Sequence, residues 1–199
     1  MLDFGPVQRR QVKLAEYARQ RGIDRPHLIQ YTNEIIDDML ALLDDIDDSV
    51  VTFVPVDPEA YDPYAQDPNM VHAGWTLGHV VAHVTASSEE CCAHAATLAR
   101  GVEVCGRNRY EVPWQEIRTV EQVRQRLEES RRIRLAYLNA WPDKPHYEMT
   151  YTPYKSPQNC VVRVLAGLYH EVGHQDQLKE IVRQAKAAQR RGRPSAELA

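Results

Sequence analysis

Residues 75–100 read WTLGHVVAHVTASSEECCAHAATLAR. Leu77, Val80, Val81, Val84, Cys91 and Leu98 recur with helical period and mark one apolar direction. Gly101 follows as a stop, because glycine takes the left-handed cap conformation without steric cost. The segment therefore predicts a long helix over 75–100. Upstream, Asp24 and Pro26 supply an N-cap and a tolerated first-turn residue. Ile35, Met39, Leu42 and Ile46 then keep helical spacing and predict a helix over 26–47, ending in DDIDDS. A short amphipathic stretch, VQRRQVKLAEYARQ at 7–20, leads into it and ends at Gly22. Downstream, Thr119 and Gln122 form a capping box that opens a helix over 118–140, stopped by Pro142 and Pro145. Ser156 and Pro157 serve as cap and first turn of a last helix over 158–188.

Two segments break this pattern. Residues 50–74 place Pro55, Pro58, Pro63 and Pro68 among Asp and Tyr, a density no continuous helix survives. Residues 141–157 form a second Pro- and Tyr-rich loop. Loops of such length in a compact domain are commonly functional, and both are expected to line a site mouth. No strand-like alternation and no internal repeat occurs. The economical reading is all-α: one domain over 1–199, a four-helix bundle with a short extra N-terminal helix and long loops. Its core covers about 26–188, and a basic polar tail occupies 189–199.

Composition narrows the class. The chain has 199 residues, 43% hydrophobic and 26% charged, which excludes disordered and low-complexity chains. No apolar run reaches the ~20 residues of a membrane span. The N-terminus lacks the apolar core of a signal peptide, and the four cysteines show no CxxC spacing, so reduced thiols and a cytoplasmic location are expected. A net charge of −4 argues against a dedicated nucleic-acid or DNA-repair protein. Residues 26–99 carry no Lys or Arg but 13 acidic residues, which predicts that an acidic first half docks on a basic second half.

The histidines carry the chemistry. His79 and His83 on one helix, and His170 and His174 on another, are each spaced i, i+4, about 40° apart on one face. His83 lies about 90° from the centre of the apolar direction and His79 about 130°, so His83 looks inward and His79 outward. On the last helix His170 and His174 share a face with Leu178 and Ile181. Any single core-edge histidine is ordinarily satisfied by backbone carbonyls. Three neutral imidazoles converging in an interior would leave acceptor nitrogens without donors, which a divalent cation resolves. Three His with open positions is the pattern of catalytic rather than closed structural sites. Zn or Ni suits such ligands, and Fe is a third option.

The other polar residues read more plainly. His94 is about 16 Å along the axis from His83 and is expected at the surface or facing a loop. His72 and His146 sit in the two loops and are weaker candidates for the site mouth, as are Tyr147, Tyr151 and Tyr154. Cys91 and Cys92 read as small helix residues. Ser87 and Glu90 lie one and nearly two turns from His83; either is a candidate partner for it, with solvent exposure the default for Glu90. Val161, Leu165, Leu168 and Val172 form an apolar stripe opposite the histidine face. A bundle buries one face of a helix easily, so the stripe predicts a homodimer.

The stretches WTLGHVVAHV and LYHEVGHQDQLKEI resemble the DinB-like metalloenzyme superfamily over roughly residues 28–186. The resemblance implies a bundle of up-down-down-up order, often dimeric. It also implies that the His eight residues after Trp75, which is His83, is a metal ligand together with His170 and His174. Gln177 and Leu178 match the family's last-helix pattern. The long loops at 50–74 and before the last helix depart from it. Family members include transferases that use low-molecular-weight thiols and a thiol-dependent isomerase. By that likeness the chain is a metal-dependent enzyme acting on a small molecule. The competing expectation is a non-catalytic, stress-related, metal-binding dimeric bundle, whose metal site a fourth side chain would close.

Overall fold

Local signals start three of the long helices where capping chemistry predicts; the last begins not at Ser156 and Pro157 but at Cys160, where Asn159 accepts from the Val162 amide. In the computed structural model, which describes residues 3–62, 65, 67–153 and 156–192, Asp24 accepts from the His27 amide and opens α3 (Arg25–Ala41). It follows two short helices, α1 (Gly5–Gln8) and α2 (Leu14–Gln20). Thr76 accepts from the His79 amide and opens α5 (Leu77–Ala99). Thr119 and Gln122 form both bonds of the capping box at the head of α6 (Val120–Asn139). The last helix, α7, covers Cys160–Gly192. The fold is all-α: among the described residues no strand forms, only one isolated bridge between Tyr151 and Gln158. No helix there is long and apolar enough to cross a membrane.

The helix expected over 26–47 stops early. Asp44, Asp45, Asp47 and Asp48 would crowd negative charge at a helix C-terminus, where the dipole disfavours it. Asp47 instead accepts from the Ser49 amide and caps the four-residue α4 (Asp48–Val51). The loop 50–74 is thus interrupted by α4 and by a 3-10 turn at Pro68–Met70.

Contacts give the helix directions. His83 meets His170 while His94 meets Arg163, so α5 and α7 run antiparallel. Gly78 abuts Ile117, just ahead of α6, while Glu89 pairs with Arg126, so α5 and α6 run the same way. Asp37 pairs with Arg131 at 2.6 Å and Asp44 with Arg124 at 3.9 Å, which sets α3 antiparallel to α6. These pairs, with Glu90–Arg107 and Glu89–Arg126, also show the acidic first half docked on basic residues of the second.

Helix α5 is buried almost all round, between α6 and α7. This corrects the outward turn that the wheel gave His79 and the solvent exposure taken as the default for Glu90; His94 faces the 141–157 loop at Tyr151, as one of its two expected settings had it, but is buried. His79, His94 and Glu90 are 8%, 3% and 4% exposed, not turned to solvent. A helix with partners on both sides has no outward face, and its small Ala, Ser and Cys residues let those partners close in.

The apolar stripe on α7 is likewise inside the chain. Val161, Leu165 and Leu168 are buried, and Val172 packs against the core. Helices α2, α3, α4 and α5 all pack on α7, and Phe4 meets Tyr169 edge-on at 5.4 Å. The leading segment thus helps to surround a helix that the sequence alone left with a bare side. The expectation of a homodimer loses the observation that motivated it.

Candidate metal centre

Antiparallel packing of α5 on α7 brings His83 opposite His170 and His174. His83 Nε2 lies 3.2 Å from His170 Nε2, which lies 3.3 Å from His174 Nε2. The ligand nitrogens of all three residues fall within 4.8 Å of one another, so the group could hold a metal ion. Zn–N bonds of about 2.0–2.1 Å at tetrahedral angles imply N···N separations of about 3.3 Å. The two measured spacings match that edge.

Electrostatics favours the neutral, lone-pair form at each position. Burial pushes His83 down to about 3, with the Arg109 guanidinium adding to the effect. Burial and the neighbouring His174 take His170 to about 4. Burial lowers His174 as well, opposed by its bond to Gln177.

Hydrogen-bond partners test the fit further. His174 Nδ1 is 2.7 Å from the Gln177 side-chain oxygen, so Nδ1 carries the proton and Nε2 presents a lone pair to the group. His170 Nε2 is close to two ring nitrogens at once. A proton there serves His174 but opposes a donor on His83; a lone pair there accepts from His83 but repels His174. With His174 Nε2 presenting a lone pair, a proton on His83 Nε2 leaves one of the two contacts unsatisfied, and a cation at the centre would satisfy both. His170 Nδ1 is buried and lacks a hydrogen-bond partner among the described residues. Among those residues no fourth His, Cys, Asp or Glu joins the group.

The surroundings contain residues that the sequence did not single out. The strap after α5 is pinned by Glu90, whose carboxylate accepts from Arg107 Nη2 and from the Asn108 amide, each at 3.0 Å. The next residue, Arg109, thereby reaches the site: it donates to the His83 carbonyl at 3.1 Å, and the same nitrogen lies 3.0 Å from His83 Nδ1. Arg109 also donates to Glu111 Oε2 at 2.5 Å, and that oxygen stands 3.8 Å from His83 Nδ1. A metal on His83 Nε2 requires the ring proton on Nδ1; Glu111 stands beyond hydrogen-bond length of that nitrogen and bears on it through Arg109, which contacts both. No spacing rule flags Arg109 or Glu111. The available signal was Glu90, a carboxylate on a helix of small and apolar residues, which needs a cationic partner from elsewhere.

Aromatic rings cover the centre. Trp75 contacts the His83 ring at 4.8 Å and lies nearly parallel to His174 at 6.3 Å. His79 is not part of the three-histidine group. Its ring is stacked between Trp75 at 4.2 Å and Trp114 at 4.4 Å, and burial pushes it down to about 4.

The weaker candidates do not converge here. His72 bonds to the Ala60 carbonyl within its own loop. The loop 141–157 packs at the opposite end of α5, where the His146 amide donates to the Ala99 carbonyl at 3.0 Å. That is about 24 Å along the helix from His83, so His146, Tyr147 and Tyr151 do not line the site mouth. Tyr151 contacts His94 and Arg163 instead. Tyr154 lies outside the described residues. Ser87 is half-buried with no bond to His83, and Glu90 acts by holding the strap.

A family model described as the DinB superfamily matches residues 31–178. The chain belongs to the DinB superfamily. Nothing among curated proteins and nothing among solved structures matches it. The family match takes in all three histidines, the strap and Trp75, so the metal group lies inside the shared domain. Superfamily membership and the three-His group are both compatible with metal binding.

Proposed function

We propose that this DinB-superfamily chain is a metalloenzyme in which His83, His170 and His174 hold one divalent ion, Zn or Ni before Fe. We propose further that it transfers or isomerises a small molecule with the help of a low-molecular-weight thiol. The observation that carries the reading is the convergence of three neutral ring nitrogens at 3.2 and 3.3 Å without a fourth protein ligand among the described residues. A closed structural site would supply that fourth side chain. When bound, the ion supplies Lewis acidity that favours the deprotonated form of a thiol.

The chain's own residues support this chemistry by position. Gln177 fixes the tautomer of His174, and Glu111 holds the Arg109 guanidinium against His83. Trp75 shields the ligand rings from water on one side. The protein's buried thiols are poor nucleophiles: burial raises Cys91 and Cys160 to about 11, and raises Cys92 as well. An external thiol fits that constraint.

The test is metal analysis of freshly purified protein, followed by a screen of small thiols against model electrophiles. Thiol consumption that requires both the metal and His83 is expected. Stoichiometric metal with no thiol-dependent turnover would favour the non-catalytic reading instead.

A further inference from the structure

Two segments close over the start of α5: the strap ahead of α6 meets it at Gly78, and Pro55 folds back on Gly74 just ahead of it. A Cβ on Gly78 would stand 2.7 Å from the Ile117 carbonyl oxygen, and one on Gly74 would run into the Pro55 carbonyl. Backbone therefore packs directly on backbone, which fixes Pro55 against Gly74 and Ile117 against Gly78. Residues of both segments line a cavity of about 470 Å³. None of His83, His170 and His174 lines it.

The lining has a definite chemical character. Val54, Met70 and Ile117 supply apolar surface. Trp114 supplies an indole whose plane lies 7° from that of His79, so the ring is held flat and rigid. Thr52, Thr76, His79 and Gln115 are its neutral polar residues and Arg118 its cation, whose Nε donates to the Gln115 carbonyl at 2.8 Å, which steadies the guanidinium. No Asp or Glu lines the cavity, and no carboxylate pairs with Arg118 among the described residues. The contrast is sharp, because residues 26–99, which supply most of the other wall, contain acids and no Lys or Arg.

We propose that this cavity binds a small planar molecule bearing one anionic group. Its aromatic or conjugated body packs against Trp114 and the apolar residues, and its carboxylate or sulfonate meets Arg118. A rigid indole gives large contact area at low entropic cost. A guanidinium matches the planar geometry of a carboxylate, which a lysine does not. The volume lies within the range of small-molecule sites. The site is independent of the metal reading, since the ligand touches none of the three histidines.

Isothermal titration with 2-naphthoate and with uncharged 2-naphthalenemethanol tests the assignment. The wild type is expected to bind naphthoate more tightly than the alcohol. Arg118→Gln is expected to weaken naphthoate by about tenfold, the scale of one charge-assisted contact, and to leave the alcohol unchanged. Trp114→Ala should weaken both. Arg118 is exposed, so its variant keeps the fold, which circular dichroism verifies. Absence of naphthoate binding by the wild type, or equal affinity of wild type and Arg118→Gln, overturns the proposal. Metal content measured on the same samples separates the two readings: His83→Ala should lose metal yet still bind naphthoate.

Discussion

The Arg134 guanidinium and the Glu171 carboxylate meet at 2.7 Å between α6 and α7, with neither side chain exposed to solvent. Glu171 follows His170 directly in the chain. The ion pair therefore constrains the rotation of α7 about its axis, and with it the direction in which His170 and His174 point. Removing one partner leaves an uncompensated buried charge, a loss of about 3–5 kcal/mol. Glu171→Ala and Arg134→Ala are each expected to lower the unfolding midpoint strongly in urea titration. The double replacement Arg134→Met with Glu171→Leu should recover most of that loss, because no charge is then stranded.

The metal group makes a prediction about four histidines. His83→Ala, His170→Ala and His174→Ala are expected to reduce bound metal from one ion per chain to near zero, measured by elemental analysis after desalting. His79→Ala should retain the metal, because its ring is occupied by stacking on Trp75 and Trp114. Its cost is expected in stability, since it opens a void between two indoles. Retention of metal by all of the first three variants would show that these are ordinary core histidines.

Glu111 bears on His83 through Arg109, whose guanidinium it holds against the imidazole. Glu111→Ala is expected to weaken metal affinity by about 10–100-fold, the usual effect of removing a carboxylate that orients a ligating imidazole. Competition against a chromogenic chelator reads the change directly. Glu111→Asp should restore part of it if the carboxylate, rather than packing, is what matters.

Acid is expected to act on the metal-free fold before it acts on a normal globular domain. Burial pushes His79 and His170 down to about 4 and His83 to about 3. In the unfolded chain a histidine titrates near 6.5. Below that value the unfolded state binds protons that the folded state refuses, so stability falls as pH drops from about 6.5 towards 4. The melting temperature of metal-free protein should fall between pH 7 and pH 5. Metal-loaded protein should resist that fall, because protons compete weakly for nitrogens whose affinity for them is depressed.

Several features were legible without coordinates because their causes are local. Asp24, Thr76 and the Thr119–Gln122 capping box each satisfy amides within three residues of themselves, so they mark helix starts in any surroundings. Helical period placed His170 and His174 on one face for the same reason. The DDIDDS run showed where a helix must weaken, but not how early, because Asp47 ends it by capping α4.

The all-helical class, the starts of α3, α5 and α6 and the pairing of histidines along each helix were readable from the chain, since they depend on neighbours in it; the start of α7, at Cys160 rather than Ser156, was not. Tertiary structure alone decided which faces are buried. The wheel turned His79 outward and Glu90 was assigned to solvent by default, yet α5 has partners on all sides and buries both. The α7 stripe read as a bare subunit interface, yet it is buried within the chain by helices that include the leading segment. Arg109 and Glu111 reach His83 only because Glu90, on another turn of α5, holds the strap that carries them. Burial is a property of what packs against a residue from distant parts of the chain, and the period of a single helix carries no information about that.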